Sequence, residues 1–252
     1  MAISSPRLQS RYVLGIGAVV LLASCMTPPA STGPLPTAPR APRTSITSTA
    51  PVRGGSALAA LAQLPVKGRA PRTAYTRAEF GDSWTDDNGE LWGHNRCDTR
   101  DDVLRRDLTD IVLRTGGCKV STGVLQDPYT GVDIDFVRGP GTSSLIQIDH
   151  VVPLANAWQT GAQQWTARQR QDFANDPLEL LATKGSVNEA KGDGDAATWL
   201  PPRKAFRCEY AARMVAIKLR WHLWVTPPER DALVRLLQPC GALGLPTEPG
   251  TV

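Results

Sequence analysis

A carboxylate, an imidazole and a carboxamide stand at the two ends of one stretch of this chain, Ile148 to Lys191. Its first half reads Ile148-Asp149-His150-Val151-Val152-Pro153-Leu154, and its second half closes on Gly185-Ser186-Val187-Asn188-Glu189-Ala190-Lys191. An Asp carboxylate and an Asn carbonyl are oxygen ligands of the kind a hard divalent cation takes, with water filling the remaining positions. An adjacent imidazole, with a reference pKa of about 6.5, can take a proton from an attacking water at neutral pH. Lys191 follows Asn188 by about one helical turn and brings a further positive charge. Such a set suits hydrolysis of a phosphodiester, in which a metal stabilises charge on the phosphate and on the leaving oxygen. Taken singly, each residue has an ordinary reading: a polar pair at a strand end, a helix-start Asn, a solvated Lys.

These residues can meet only if the chain leaves a strand and comes back. The pattern predicts strands over residues 119–125, 132–137 and 144–149, with turns at Asp127-Pro128-Tyr129-Thr130-Gly131 and Gly139-Pro140-Gly141. Helical pieces are expected over 154–160 and 166–174, the second capped by Thr166, and then a short strand over 178–182. A helix carrying Asn188 and Lys191 completes the sequence strand, strand, helix, and Asp193 or Asp195 caps a further turn through Trp199. The fold class is α+β, a small antiparallel sheet surrounded by helices.

This stretch resembles the HNH branch of the His-Me finger, or ββα-metal, endonucleases. It is most similar to the HNH domain at the C-terminus of GmrSD-type restriction enzymes, which also occurs in secreted bacterial proteins. The residues that carry the resemblance are Asp149-His150 with Pro153-Leu154, Phe173 with Asn175-Asp176-Pro177, Leu180-Leu181-Ala182, Gly185-Ser186, Asn188, Lys191-Gly192-Asp193 and Trp199-Leu200-Pro201-Pro202. Weaker matches lie upstream at Tyr75, Arg77, Phe80-Gly81, Trp84, Cys97-Asp98-Thr99-Arg100 and the Asp127-Gly131 turn. The resemblance implies a ββα-metal core over about 144–192 and a metal-dependent endonuclease acting on DNA, with RNA a further substrate. It implies His150 as general base, Asp149 and Asn188 as ligands of one divalent ion, Mg²⁺ first and Mn²⁺ after it, and Lys191 at the phosphate. One position departs from the family pattern: Glu179 stands where many HNH motifs carry the Asn that braces the catalytic loop. Asn175, four residues earlier, is the expected substitute. A non-catalytic surface protein that keeps the finger as scaffold is the alternative.

The flanking elements follow from spacing. Asp98 or Thr99 caps a helix expected over 100–115, with Val103, Leu104, Leu108, Ile111 and Val112 on one face and Gly116-Gly117 as its stop. Arg100 at its start is placed either near a phosphate or in an ion pair with Asp101 or Asp102. Phe206, Tyr210, Met214, Ile217 and Trp221 form the buried stripe of a helix over 204–223, and Pro227-Pro228-Glu229 opens a last one to about 238. Residues 58–64 form a short helix stopped by Pro65. Residues 75–93 read as a turn cluster around Trp84 and Trp92, with His94 beyond it exposed and idle.

The chain of 252 residues is long enough for one core with appendages. Eight of its 28 basic residues lie in residues 1–72, where there is no acid; that leaves 20 against all 24 acids beyond, a net of −4. Any contact with nucleic acid therefore rests on a local patch, not on a global basic field. Arg7 and Arg11 flank the apolar run Tyr12 to Ala23, which at about 1.5 Å per residue spans roughly 18 Å, too short for a bilayer core of about 30 Å. We read it as an export signal ending in a lipobox-like Leu22-Ala23-Ser24-Cys25, with Cys25 lipidated. No other run is long and apolar enough to span, so the protein is expected on the outer face of the cell membrane or secreted, as a monomer. Residues 26–57 are a Pro/Ser/Thr/Ala-rich tether, and 58–252 the folded domain. Cys97, Cys118, Cys208 and Cys240 remain, an even number suited to an oxidising compartment. Of the three possible pairings, Cys97 with Cys118 and Cys208 with Cys240 is preferred, because each links the ends of one helical segment.

Overall fold

The structure, a computed structural model, describes residues 55–247. The expected signal peptide, Cys25 and the tether as far as residue 54 lie outside the described residues. Ser56 caps a first short helix, α1 (Ala57–Leu61), through a bond from the Ala59 amide. Residues 62–97 follow with a single 3₁₀ turn at Arg77–Phe80. Asp98 accepts from the Asp101 amide and starts α2 (Thr99–Asp107).

Here the structure departs from the periodicity. The helix expected to reach residue 115 ends at Asp107, and Leu108–Leu113 becomes β1, paired antiparallel with β2 (Val120–Gln126). Gly116 and Gly117, both at positive φ, close a β1–β2 hairpin instead of capping a helix. Leu108 is buried while Ile111, Val112 and Leu113 are exposed on this edge strand. β3 (Asp133–Val137) pairs with the other side of β2.

A second, two-stranded antiparallel ladder pairs β4 (Ile146–His150) with β5 (Leu180–Lys184), matching Ile148 to Ala182 and His150 to Leu180. Residues 151–179 form the excursion between them and include α3 (Leu154–Gln159) and α4 (Ala167–Ala174); a full capping box of Thr166 and Gln169 starts α4. α5 (Gly185–Lys191) follows β5 without a loop. Gly185 permits that, because a Cβ there would drive into the carbonyl oxygen of Ser144. The local order is thus strand, strand, helix. α6 (Arg207–Arg220) and α7 (Pro227–Leu237) complete the domain.

The β4–β5 ladder separates two cores. Ile146, Ile148, Leu180 and Ala182 pack with Val103 and Leu104 of α2 and with Leu125 and Phe136 of the sheet. Leu181 faces the other way, into a larger helical core holding Phe173, Tyr210, Met214, Ile217 and Leu233. Each large apolar side chain buried in this way contributes about 1.5–3 kcal/mol. Disulfides join Cys97 to Cys118 and Cys208 to Cys240. Among the described residues no helix is long and apolar enough to cross a membrane.

Candidate active site

Successive side chains of a strand point to opposite faces, and cross-strand partners share a face. Asp149 and His150 are both within β4, so the ladder sends them apart. The three residues expected at one point therefore do not converge as a set.

On the α5 side, Asp149 is buried with both carboxylate oxygens engaged. Oδ1 accepts from the Lys191 ammonium at 2.8 Å, and Oδ2 accepts from the Tyr129 hydroxyl. Lys191 is itself buried and donates a second bond, 2.7 Å, to the backbone carbonyl of His150. Burial raises the pKa of Asp149 and Lys191 opposes that rise. Asn188, half-buried one turn before Lys191, donates to Gln147 Oε1 at 2.9 Å, and Gln147 donates on to Glu189. Lys191 is thus occupied within the protein and not free for a phosphate.

The donor types of Asp149 and Asn188 suit a hard cation, but their arrangement here does not fit one. The Asp149 side chain is 4% exposed and already neutralised at 2.8 Å, and a second cation on that carboxylate would meet the Lys191 charge at close range. Among the described residues no cluster of three or more His, Cys, Asp or Glu could hold a metal.

On the opposite face His150 is 7% exposed and its Nε2 lies 3.1 Å from the carbonyl oxygen of Ala174. A carbonyl only accepts, so Nε2 carries the proton and Nδ1 keeps the lone pair. The Trp84 indole stacks on the imidazole at 5.5 Å between centroids and 13° between planes. Burial, then the charge of Arg77, pushes the His150 pKa down to about 3, so the ring is neutral at physiological pH. His150 lines a cleft with Arg77, Gly81, Asp82, Ser83, Trp84 and Leu154. It has room of about 20 Å³, roughly what one water needs.

The turn after His150 is braced by Glu179, the position that departed from the family pattern. Its Oε1 accepts from the Val152 amide at 3.0 Å and its backbone carbonyl accepts from the Val151 amide. Burial raises the Glu179 pKa well above the usual carboxylate value, with Lys191 opposing. Asn175 donates to the Gln171 carbonyl at the end of α4, next to the Ala174 carbonyl that holds His150. Arg100 does not approach the site. It is mostly buried and donates to the carbonyls of Ser143 and Ile146, pinning the entry to β4.

Sequence reasoning assigned no role to Tyr129 or Asp127. Asp127 accepts from Thr183 Oγ1 at 2.6 Å and from the Lys184 amide, tying its turn to β5 and so setting Tyr129 against Asp149. The signal was present in the Asp-Pro-Tyr-Thr-Gly turn, where an Asp opens a turn and a Tyr follows inside it. Trp84 lies in a loop and Arg77 opens the single 3₁₀ turn, and no periodicity fixes the position of either.

Residues 98–236 match the C-terminal domain of GmrSD restriction endonucleases. A protein of Arthroderma benhamiae described as an uncharacterized secreted protein is 36% identical over 219 residues, which is 86% of this chain and 96% of that protein. No solved structure matches the chain.

Proposed function

From the premise that the chain belongs to the family of the GmrSD restriction endonuclease C-terminal domain, we propose that it is an exported nuclease that hydrolyses the phosphodiester bonds of DNA, and of RNA as a further substrate. The observation that carries this reading is the state of His150. Its proton is fixed on Nε2 by the Ala174 carbonyl, its ring is clamped by Trp84, and it borders a cleft with room for one water. Nδ1 takes a proton from that water, the water oxygen bonds to phosphorus, and the bond to the sugar oxygen breaks, that oxygen leaving with the bonding pair and taking a proton from solvent. A free imidazole pushed down to about pKa 3 is a weak base. An anionic phosphate beside Arg77 offsets the charge that depresses it and raises its proton affinity as the substrate binds.

The family resemblance also implies a divalent ion, Mg²⁺ in the first instance. With Asp149 closed off by Lys191 and Tyr129, no step is routed through it, and a metal requirement is left to the cleavage assay. Export agrees with the secreted relative and the two disulfides. Lipid attachment at Cys25 belongs to the same reading, and detergent partitioning of the full chain checks it.

The buried Asp149–Lys191 pair favours one second reading, a surface binding protein that keeps the fold without cleavage. The full chain, with disulfides formed, is incubated with plasmid DNA or RNA in Mg²⁺, Mn²⁺ or EDTA. Cutting by the wild type that is lost in His150→Gln, with an unchanged melt, is the expected result. A folded wild type that leaves both polymers intact in every metal removes the nuclease and leaves the binding protein.

A further inference from the structure

The matched domain begins at residue 98, yet much of the cleft beside His150 is built by residues that precede it. Arg77, Asp82 and Trp84 all line that cleft. Arg77 is exposed on the 3₁₀ turn Arg77–Phe80, and among the described residues its guanidinium makes no hydrogen bond, ion pair or ring contact. Other arginines nearby are committed. Arg170 is held by Glu79 and the Trp165 carbonyl, and Arg168 by Asp87 and Asp172. Trp84 is held at a φ of 60°, a backbone conformation that bulky residues rarely adopt, and its ring lies flat on His150.

We propose that the segment 77–84, upstream of the matched domain, supplies the phosphate-binding wall of the site, with the Arg77 guanidinium as the anchor for a backbone phosphate of a nucleic-acid strand. The inference deepens the nuclease reading and rests on it for the identity of the ligand. Arg presents a planar fork of donors that matches two phosphate oxygens, and an unpaired guanidinium at a cleft mouth has donors free to do so. The cleft itself has room for a water, so the strand lies across its mouth and not inside it. Asp82 on the same rim carries the opposite charge and limits how tightly an anion is held. This gives a test with two signs. Truncating Arg77 weakens binding and neutralising Asp82 strengthens it, a pattern that a purely structural role for either exposed residue does not produce.

The experiment measures fluorescence anisotropy of a short labelled phosphorothioate single strand, which keeps the backbone charge and resists hydrolysis, against the full chain in EDTA over a range of salt. Arg77→Ala is expected to weaken binding about tenfold or more and to lower the salt slope by about one ion, with Arg77→Lys between it and the wild type. Asp82→Asn is expected to tighten binding a few-fold. Equal binding by Arg77→Ala and wild type, or no binding by either, overturns the proposal. If Arg77→Ala loses binding while the wild type cuts neither DNA nor RNA, the phosphate site stands and the hydrolytic reading falls. If the wild type cuts with His150 dependence and Arg77→Ala binds normally, the reverse holds.

Discussion

Asp149 and Lys191 form an ion pair at 2.8 Å with side chains 4% and 0% exposed, and the environment around them sets what each can do. Removing a carboxylate from water costs several kcal/mol, and the pair offsets this through close contact and through the bonds from Tyr129 and to the His150 carbonyl. The Lys191–carbonyl bond ties the pair to the backbone of the very residue whose side chain leaves on the other face. The pair is therefore anchored to the backbone of His150. Lys191→Met strands a buried carboxylate and is expected to cost about 3–5 kcal/mol, and Asp149→Leu alone to cost a similar amount by stranding the ammonium. The double variant Asp149→Leu/Lys191→Met removes both charges and should recover most of that loss, giving a large coupling energy in a denaturant double-mutant cycle. Losses that simply add would show that the pair is not coupled. Because Lys191 and Tyr129 already hold Asp149, titration with Mg²⁺ is expected to leave the melting temperatures of wild type and double variant alike unchanged; a rise confined to the wild type would place a metal on Asp149.

Loop 81–97 is the element on which the cleft depends, and it has no regular structure to hold it. Three devices do so instead. The Asp86 carboxylate accepts from the amides of Asn95 and Arg96, the Trp84 carbonyl accepts from the Thr99 amide at the start of α2, and Cys97 is bonded to Cys118. The other disulfide, Cys208 to Cys240, joins the start of α6 to the chain beyond α7, away from the cleft. Each contributes about 2–4 kcal/mol of stability. Replacing either pair by Ser should lower the melting temperature by a comparable amount. Only Cys97→Ser/Cys118→Ser should also reduce cleavage well below its melting point, by loosening Trp84 from His150. Equal activity in both paired variants at low temperature would sever the loop from the site. The pairing was open to sequence reasoning because each bridge closes around one local segment. The course of the loop was not, because its shape comes from side-chain to backbone bonds that leave no period. The end of α2 was misread for a related reason. Leu108, Ile111 and Val112 fit a helical face, but pairing with β2 outweighs that local spacing, and the β-branched run closed by Gly116-Gly117 was the hairpin signal.

Across the whole molecule, the elements that bury a continuous apolar face were legible. The α6 stripe, the two halves of the β4–β5 ladder and the capped start of α4 stand within a few residues of where periodicity and capping residues put them. What the sequence could not convey was side-chain direction at a strand end, which sent His150 and Asp149 to different faces, and the long-range pairing of charges. Glu90, Arg220 and Asp176 illustrate the second. Glu90, in the loop, bonds Arg220 of α6 at 2.6 Å, while Arg220 Nε lies 3.1 Å from the buried Asp176, so one guanidinium serves two carboxylates where loop, α4 and α6 meet. Burial first, and then the nearby Asp176 charge, pushes the Glu90 pKa up to about 7 from an ordinary 4.5. A folded-state value above the unfolded one means that the native state holds the extra proton. The contribution is complete below about pH 4.5 and is lost as pH rises through about 7. Glu90→Gln keeps a neutral amide at every pH and so removes that loss. Its stability relative to wild type should improve between pH 5 and pH 8 by an amount of order 1–3 kcal/mol, read as the change in the melting-temperature difference. His150, held neutral by burial, titrates with the opposite sign below about pH 6.5 and is present in both proteins, so it cancels in the difference. A difference that stays flat from pH 5 to pH 8 would mean that Glu90 is ionised throughout and that Arg220 satisfies both carboxylates at once.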